Sequence, residues 1–173
     1  MTLASLSLLV LRLVVGLTFA GHGAQKAFGW WNGPGPQKWE AAMTSMRFHP
    51  ARFWAFLSIG VELLGGLLVA LGFLTPWAVT ALIGQSMVII LKAHLPKGFW
   101  NRDGGFEFPL ALAAALIAIL GVGAGAYSID TTIGYGLPEG ARGLLLAIGL
   151  IGGAASYWLT QMAPAQESAA QNR

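Results

Sequence analysis

Residues 53–73 read FWAFLSIGVELLGGLLVALGF, an apolar run interrupted by a single charge, Glu62. About 20 mostly apolar residues carry a helix across the hydrocarbon core, so a membrane span is predicted from about Phe53 to Phe73. The rest of the chain has the same character. Of its 173 residues 55% are apolar and 10% charged, against roughly 25% charged in soluble domains. So few charges cannot cover a water-facing surface, and lipid is the expected solvent. There is no cysteine, which excludes thiol–disulfide chemistry and thiolate-held metal or iron–sulfur centres. The formal charge of +3 is scattered between apolar runs, a pattern that suits membrane flanks better than nucleic acid.

Four more runs meet the length criterion. The first extends from about Leu3 to Phe28 and carries Arg12, His22 and Lys26. The third extends from about Trp77 to Leu95, after the helix-starting Pro76, with Gln85 near its middle and Lys92 and His94 near its end. A fourth begins near Phe106 and ends among Gly121, Gly123 and Gly125; a fifth runs from about Ala141 to Met162. The fold class expected is therefore an all-α membrane protein: a four-helix transmembrane bundle over residues 1–130, a fifth C-terminal transmembrane helix within 131–163, and a disordered tail at 164–173. Thr18-Phe19-Ala20 has the small residues of a signal-peptide cleavage site. Arg12 inside the apolar stretch and the absence of a basic start argue against one.

The connectors sharpen this picture. Only Leu74-Thr75-Pro76 separates the second and third spans, which predicts a tight antiparallel hairpin. Between the first two spans, KWEAAMTSMRF puts Trp39, Met43 and Met46 on one helical face, the pattern of a short amphipathic interfacial helix over 39–48. Lys26, Lys38, Arg47, Arg52, Lys92, Lys97, Arg102 and Arg173 fall on one side of five spans, with Arg12 and Arg142 on the other. The basic side is expected to be cytoplasmic, leaving the N-terminus outside and the C-terminus inside.

Charges within a span cost about 2.5–3.5 kcal/mol even on lenient scales, so each needs a partner or a cavity. Glu62 lies about 13 Å along its helix from Phe53, with Ser58 and Gly66 one turn away on either side. In the first span Arg12, Gly16, Phe19, Gly23 and Lys26 form one stripe at 100° per residue, with His22 a quarter-turn aside. A Glu62–His22 or Glu62–Arg12 pair is predicted, the latter as a purely structural clasp between helices. Lys26 and Lys92 sit shallower, in reach of lipid headgroups or of the same site. Gln85 shares a face with Lys92, whereas His94 points away as an interfacial residue. No metal site is expected: the histidines lack a suitable spacing for zinc, and His22 and His94 do not face one haem cavity.

Four stretches in order, RLVVGLTFAGHGAQKAFGW, ELLGGLLVALGFLT, HLPKGFWNRDGGFEFPLAL and GAYSID, resemble the DoxX family of small bacterial membrane proteins, over about residues 8 to 130. The family's histidine–glycine–lysine element corresponds to His22, Gly23 and Lys26. Its second element corresponds to Glu62, Leu63, Gly65 and Gly66, and its third to Gly98, Phe99, Asn101, Gly104, Gly105 and Glu107. The resemblance implies a four-helix membrane module related to the DoxD small subunit of a thiosulfate–quinone oxidoreductase, and membership of membrane oxidoreductase complexes. The chain departs from that pattern by continuing past Ser128-Ile129-Asp130 into a further span.

With the first and third spans ending where the fourth begins, His22, Lys26, Lys92, Asn101 and Glu107 are expected to gather above Glu62, with Gln85 and Trp100 as further ligand-binding residues. The loop GFWNRDGGFEFP (98–109) would then be a re-entrant cap on a polar pocket. The function expected is that of an inner-membrane oxidoreductase subunit with a quinone-type pocket near its cytoplasmic end, Glu62 and His22 acting as proton partners. Partners would be the bilayer and other proteins of a complex. A non-catalytic anchor or assembly subunit is the alternative reading. A small-solute or proton transporter is a third, without the internal repeat typical of such folds. No cofactor-binding motif or nucleophile–base pair makes the chain catalytic alone.

Overall fold

The computed structural model describes residues 2–162 and is all helical over them. The elements are α1 (Leu3–Phe28), α2 (Gly35–Ser45), α3 (Ala51–Leu71), α4 (Thr75–Ile89), α5 (Glu107–Val122), α6 (Ile129–Thr132) and α7 (Glu139–Met162). A π-helical turn, Ile90–His94, and a short 3₁₀ turn extend α4 as far as Lys97. The tail expected at 164–173 lies outside the described residues.

Among the described residues four helices are long and apolar enough to cross a membrane: Leu3–Phe28, Ala51–Leu71, Thr75–Lys97 and Glu139–Met162. They form a bundle, and among the described residues no fifth helix has that length and composition. The C-terminal helix, expected as an addition, is one of the four long rods. The run expected as the fourth span is α5, a shorter apolar helix of 16 residues. Glycine sets its length, since the backbone turns to φ 94° at Gly123. The short helix between the first two spans also shifts, to Gly35–Ser45 instead of 39–48. Pro36 at its first turn starts it early, and Arg47 at φ 65° ends it before Phe48.

Two glycine-mediated crossings hold the bundle. Across α1 and α3, Gly23 lies against Leu63, and Gly66 against Gly16 and Ala20. A Cβ added at Gly16 would come within 2.6 Å of the Ala70 backbone nitrogen, so only glycine permits this approach. The antiparallel register that results makes Glu62 level with Ala24, and Arg12 level with the turn between α3 and α4. Across α4 and α7, a Cβ at Gly153 would lie 2.6 Å from the Gly84 carbonyl and one at Gly149 2.9 Å from the Thr80 carbonyl. Small residues let backbones meet in this way where no hydrophobic effect drives helices together. Between the crossings Val15, Phe19, Val69, Val79, Leu82, Leu116 and Ile119 form the core.

One end of the bundle is fastened by α6. Asp130, buried, accepts hydrogen bonds from the backbone N–H groups of Leu74 (2.7 Å) and Thr75 (2.9 Å), capping α4. Its own N–H donates to the Gly72 carbonyl. Arg12 reaches the same cluster: its guanidinium donates to the Tyr127 carbonyl and feels the charge of Asp130. This corrects the Arg12–Glu62 pair, because the register sets the two residues at different depths. Arg142 closes the C-terminus of α5 by donating to the Gly121 carbonyl at 2.6 Å. Asp130→Ala should therefore cost about 2 kcal/mol, the upper range for a lost helix cap, because it also strips Arg12 of its nearby charge. Unfolding in mixed micelles checks this, and Asp130→Asn should recover part of the loss.

Candidate functional site

At the other end of the bundle, where α1 ends and α2 packs, Glu62 is only 1% exposed. Both its carboxylate oxygens accept from the Lys26 ammonium, at 2.5 and 2.6 Å. The Gln85 amide nitrogen donates to one of them at 3.3 Å. The Lys26 ammonium in turn lies 4.1 Å from the centre of the Trp39 ring, and the Trp39 indole N–H donates to Ser58 at 2.7 Å. Four helices thus meet in one polar network: α1 supplies Lys26, α2 Trp39, α3 Ser58 and Glu62, α4 Gln85. The glycine crossing explains the pairing. With Glu62 level with Ala24, Lys26 stands about 3 Å further along α1 and its stem folds back onto the carboxylate. A charge pair this deep holds only because each member satisfies the other.

Beside this network lies a cavity of about 300 Å³ bounded by α2, α3, α4 and α7. Its wall is mostly apolar, with Trp39, Trp54, Ser58, Gln85 and Lys92 among the lining side chains and Gly152 opposite them. Gln85 belongs to both features: it lines the cavity and touches Glu62. The polar groups are few and the walls aromatic and aliphatic, the usual make-up of a small-ligand pocket.

The structure brings together Lys26, Glu62 and Gln85 and leaves the other expected members apart. His22 is exposed on the flank of α1, turned away from Glu62, because its quarter-turn offset takes it off the buried stripe. Trp100 and Asn101 are exposed as well. Glu107 accepts from the Asn101 backbone N–H at 3.0 Å and so closes its own loop. The loop has no roofing role over Glu62. It folds on itself through Phe106 N–H to the Gly98 carbonyl and Glu107 N–H to the Phe99 carbonyl. His94 ties it to α4: Nδ1 sits 2.7 Å from the Gly104 carbonyl and 3.1 Å from that of Gly105, and with carbonyls as its only partners it is the donor. Gly105 is required because a Cβ there would strike the backbone of Phe99 at 2.6 Å. The roof of the cavity is instead α2 and the segment after it, through Trp39, Met43, Met46 and Phe48. Helical periodicity already put Trp39, Met43 and Met46 on one face of that helix, but no local signal showed which span the face covers. Among the described residues no group of His, Asp and Glu gathers in a form able to hold a metal ion.

Comparison with known proteins places the same helices in a wider setting. The sequence model of the DoxX family matches residues 7–95, just over half of the chain, spanning α1 to α4 and with them Lys26, Glu62 and Gln85. The chain is 33% identical over 134 residues to an uncharacterised membrane protein of Mycobacterium tuberculosis, covering 72% of this chain and 79% of that one. It is 29% identical over 135 residues to an uncharacterised protein of Haemophilus influenzae, covering 75% and 85%. No solved structure matches it.

Proposed function

The chain belongs to the DoxX family of multi-pass membrane proteins, and on that footing we propose that it is the subunit of a larger membrane oxidoreductase complex that admits a flat, quinone-type ligand from the bilayer. In this reading it resides in a bacterial inner membrane with five passes, α5 included, and with the α2 end in the cytoplasm. The described Lys and Arg residues at the α2 end, from Lys26 to Arg102, favour that orientation.

One observation carries the reading: a buried carboxylate is linked through Gln85 to the wall of an apolar cavity. The residues fit a quinone. Trp39 and Trp54 offer aromatic surface, Ser58 and Gln85 offer polar groups at the inner wall, and Leu57, Ala81 and Ile148, exposed on the lipid flank, leave a way out for a tail. A bound quinone supplies two-electron redox chemistry that consumes protons, which a complex partner would drive. For its own part the chain orients the ring, keeps bulk water away with the α2 roof, and sets the Lys26–Glu62 pair one hydrogen bond from the cavity through Gln85.

Titration of a short-chain ubiquinone into the protein in nanodiscs should quench tryptophan emission saturably, since Trp39 and Trp54 line the cavity. Gln85→Leu should raise the half-saturating concentration roughly tenfold, the size of one lost hydrogen bond to a ligand in an apolar wall. Quenching that never saturates, or that ignores Gln85→Leu, removes the basis for the reading.

A second reading, a non-catalytic anchor, draws on the loop that folds on itself. Phe99, Trp100 and Arg102 stand exposed on it, away from the bundle. Under that reading Trp100→Ala removes partners from a mild-detergent pull-down and leaves ubiquinone quenching intact.

A further inference from the structure

Lys92 lines the cavity at its α2 end. Its ammonium lies 5.4 Å from the Tyr157 ring centre and 5.8 Å from that of Phe48, held between two aromatic faces. Among the described residues no carboxylate comes within ion-pair distance of it. Glu62 is engaged by Lys26 and Glu107 by its own loop. Arg47, in the turn after α2, is exposed and supplies no counter-charge. One positive charge therefore stands without a counter-charge on the wall of an apolar cavity. A lysine that merely anchored its helix would extend into the headgroups, whereas this one is half-buried and faces inward.

The shape of the space adds to the argument. Cavity-lining residues run along α4 from Lys92 to Thr80, about 18 Å of helix, with Gly84 and Gly152 keeping the walls low. A Cβ added at Gly152 would meet nothing within 4 Å, so the void beside it is not needed for helix packing. The site is thus long, apolar along its body and cationic at one end.

We infer that this cavity takes a long-chain amphiphile with an ionised carboxylate head, of the fatty-acid type, drawn from the leaflet at the α2 end, with the head at Lys92 and the chain along α4 toward Thr80. The inference rests on the cavity being a ligand site, as in the function proposed above, and adds a second ligand class. Such a ligand would compete with a quinone for the same space. A neutral lipid or quinone leaves the half-buried Lys92 without a counter-charge, and electrostatic attraction there favours the acid.

The test uses 9,10-dibromostearate and its methyl ester, whose bromines quench nearby tryptophan, added to the full chain in nanodiscs of neutral lipid. The acid should quench saturably at a mole fraction roughly tenfold below that of the ester, the worth of one hydrogen bond to a charged group. Lys92→Met should abolish the difference and Lys92→Arg preserve it. Gly152→Leu, which fills open space, should remove the saturable component for both probes. If acid and ester saturate alike, or if their difference survives Lys92→Met, the acidic head is overturned while the cavity stands as a ligand site. If neither probe saturates, the inference falls, and the function proposed above stands or falls separately on the ubiquinone titration.

Discussion

Lys26→Met should destabilise the bundle by about 3–5 kcal/mol, the penalty for leaving one member of a buried ion pair without the other. Glu62 is 1% exposed and both its oxygens depend on that ammonium, with only a long hydrogen bond from Gln85 besides. Unfolding in mixed micelles measures the loss. The double variant Lys26→Met/Glu62→Leu should recover most of it, because an apolar pair of similar volume carries no stranded charge. A single variant within about 1 kcal/mol of the parent, the scale of an exposed ion pair, would mean that Glu62 is not held by Lys26.

Gly66→Ala tests the crossing that makes this pair possible. One methyl group there would sit 2.5 Å from the Ala20 nitrogen and the Gly16 carbonyl oxygen, both backbone atoms that cannot rotate away. The helices must part, and the expected cost is about 3 kcal/mol, the upper end for an overpacked core. The same substitution at Gly60, on the same helix, meets nothing within 4 Å and should change stability by no more than about 0.5 kcal/mol. If both variants behave alike, the crossing does not depend on glycine.

Much of this was legible before any coordinates. Periodicity alone put Arg12, Gly16, Phe19, Gly23 and Lys26 on one stripe, and all five are buried. The position of Glu62 inside an apolar run marked it as a residue that needs a partner. Its partner was not legible, because periodicity gives direction around a helix but not the relative height of two helices. That height comes from which glycines meet across the interface, a long-range fact with no local signal. The same ignorance of height paired Arg12 with Glu62, when Arg12 belongs with Tyr127 and Asp130 at the opposite end. The loop from Gly98 to Glu107 misled for a different reason. Its Asn, Glu and paired glycines have the composition of a ligand-binding cap, but they are consumed in closing the loop and docking it on His94.

The 16 residues of α5 have a further consequence. A helix of that number is about 24 Å long, some 6 Å short of a typical hydrocarbon thickness of about 30 Å. Carried across the membrane as proposed, it would oblige the acyl chains on its side of the molecule to shorten or splay, so that the bilayer is dimpled along one flank only. Lipids there would be less ordered than those facing the four longer helices. Two such proteins approaching through their α5 flanks would share one dimple instead of maintaining two, a weak attraction supplied by the membrane with no protein contact at all.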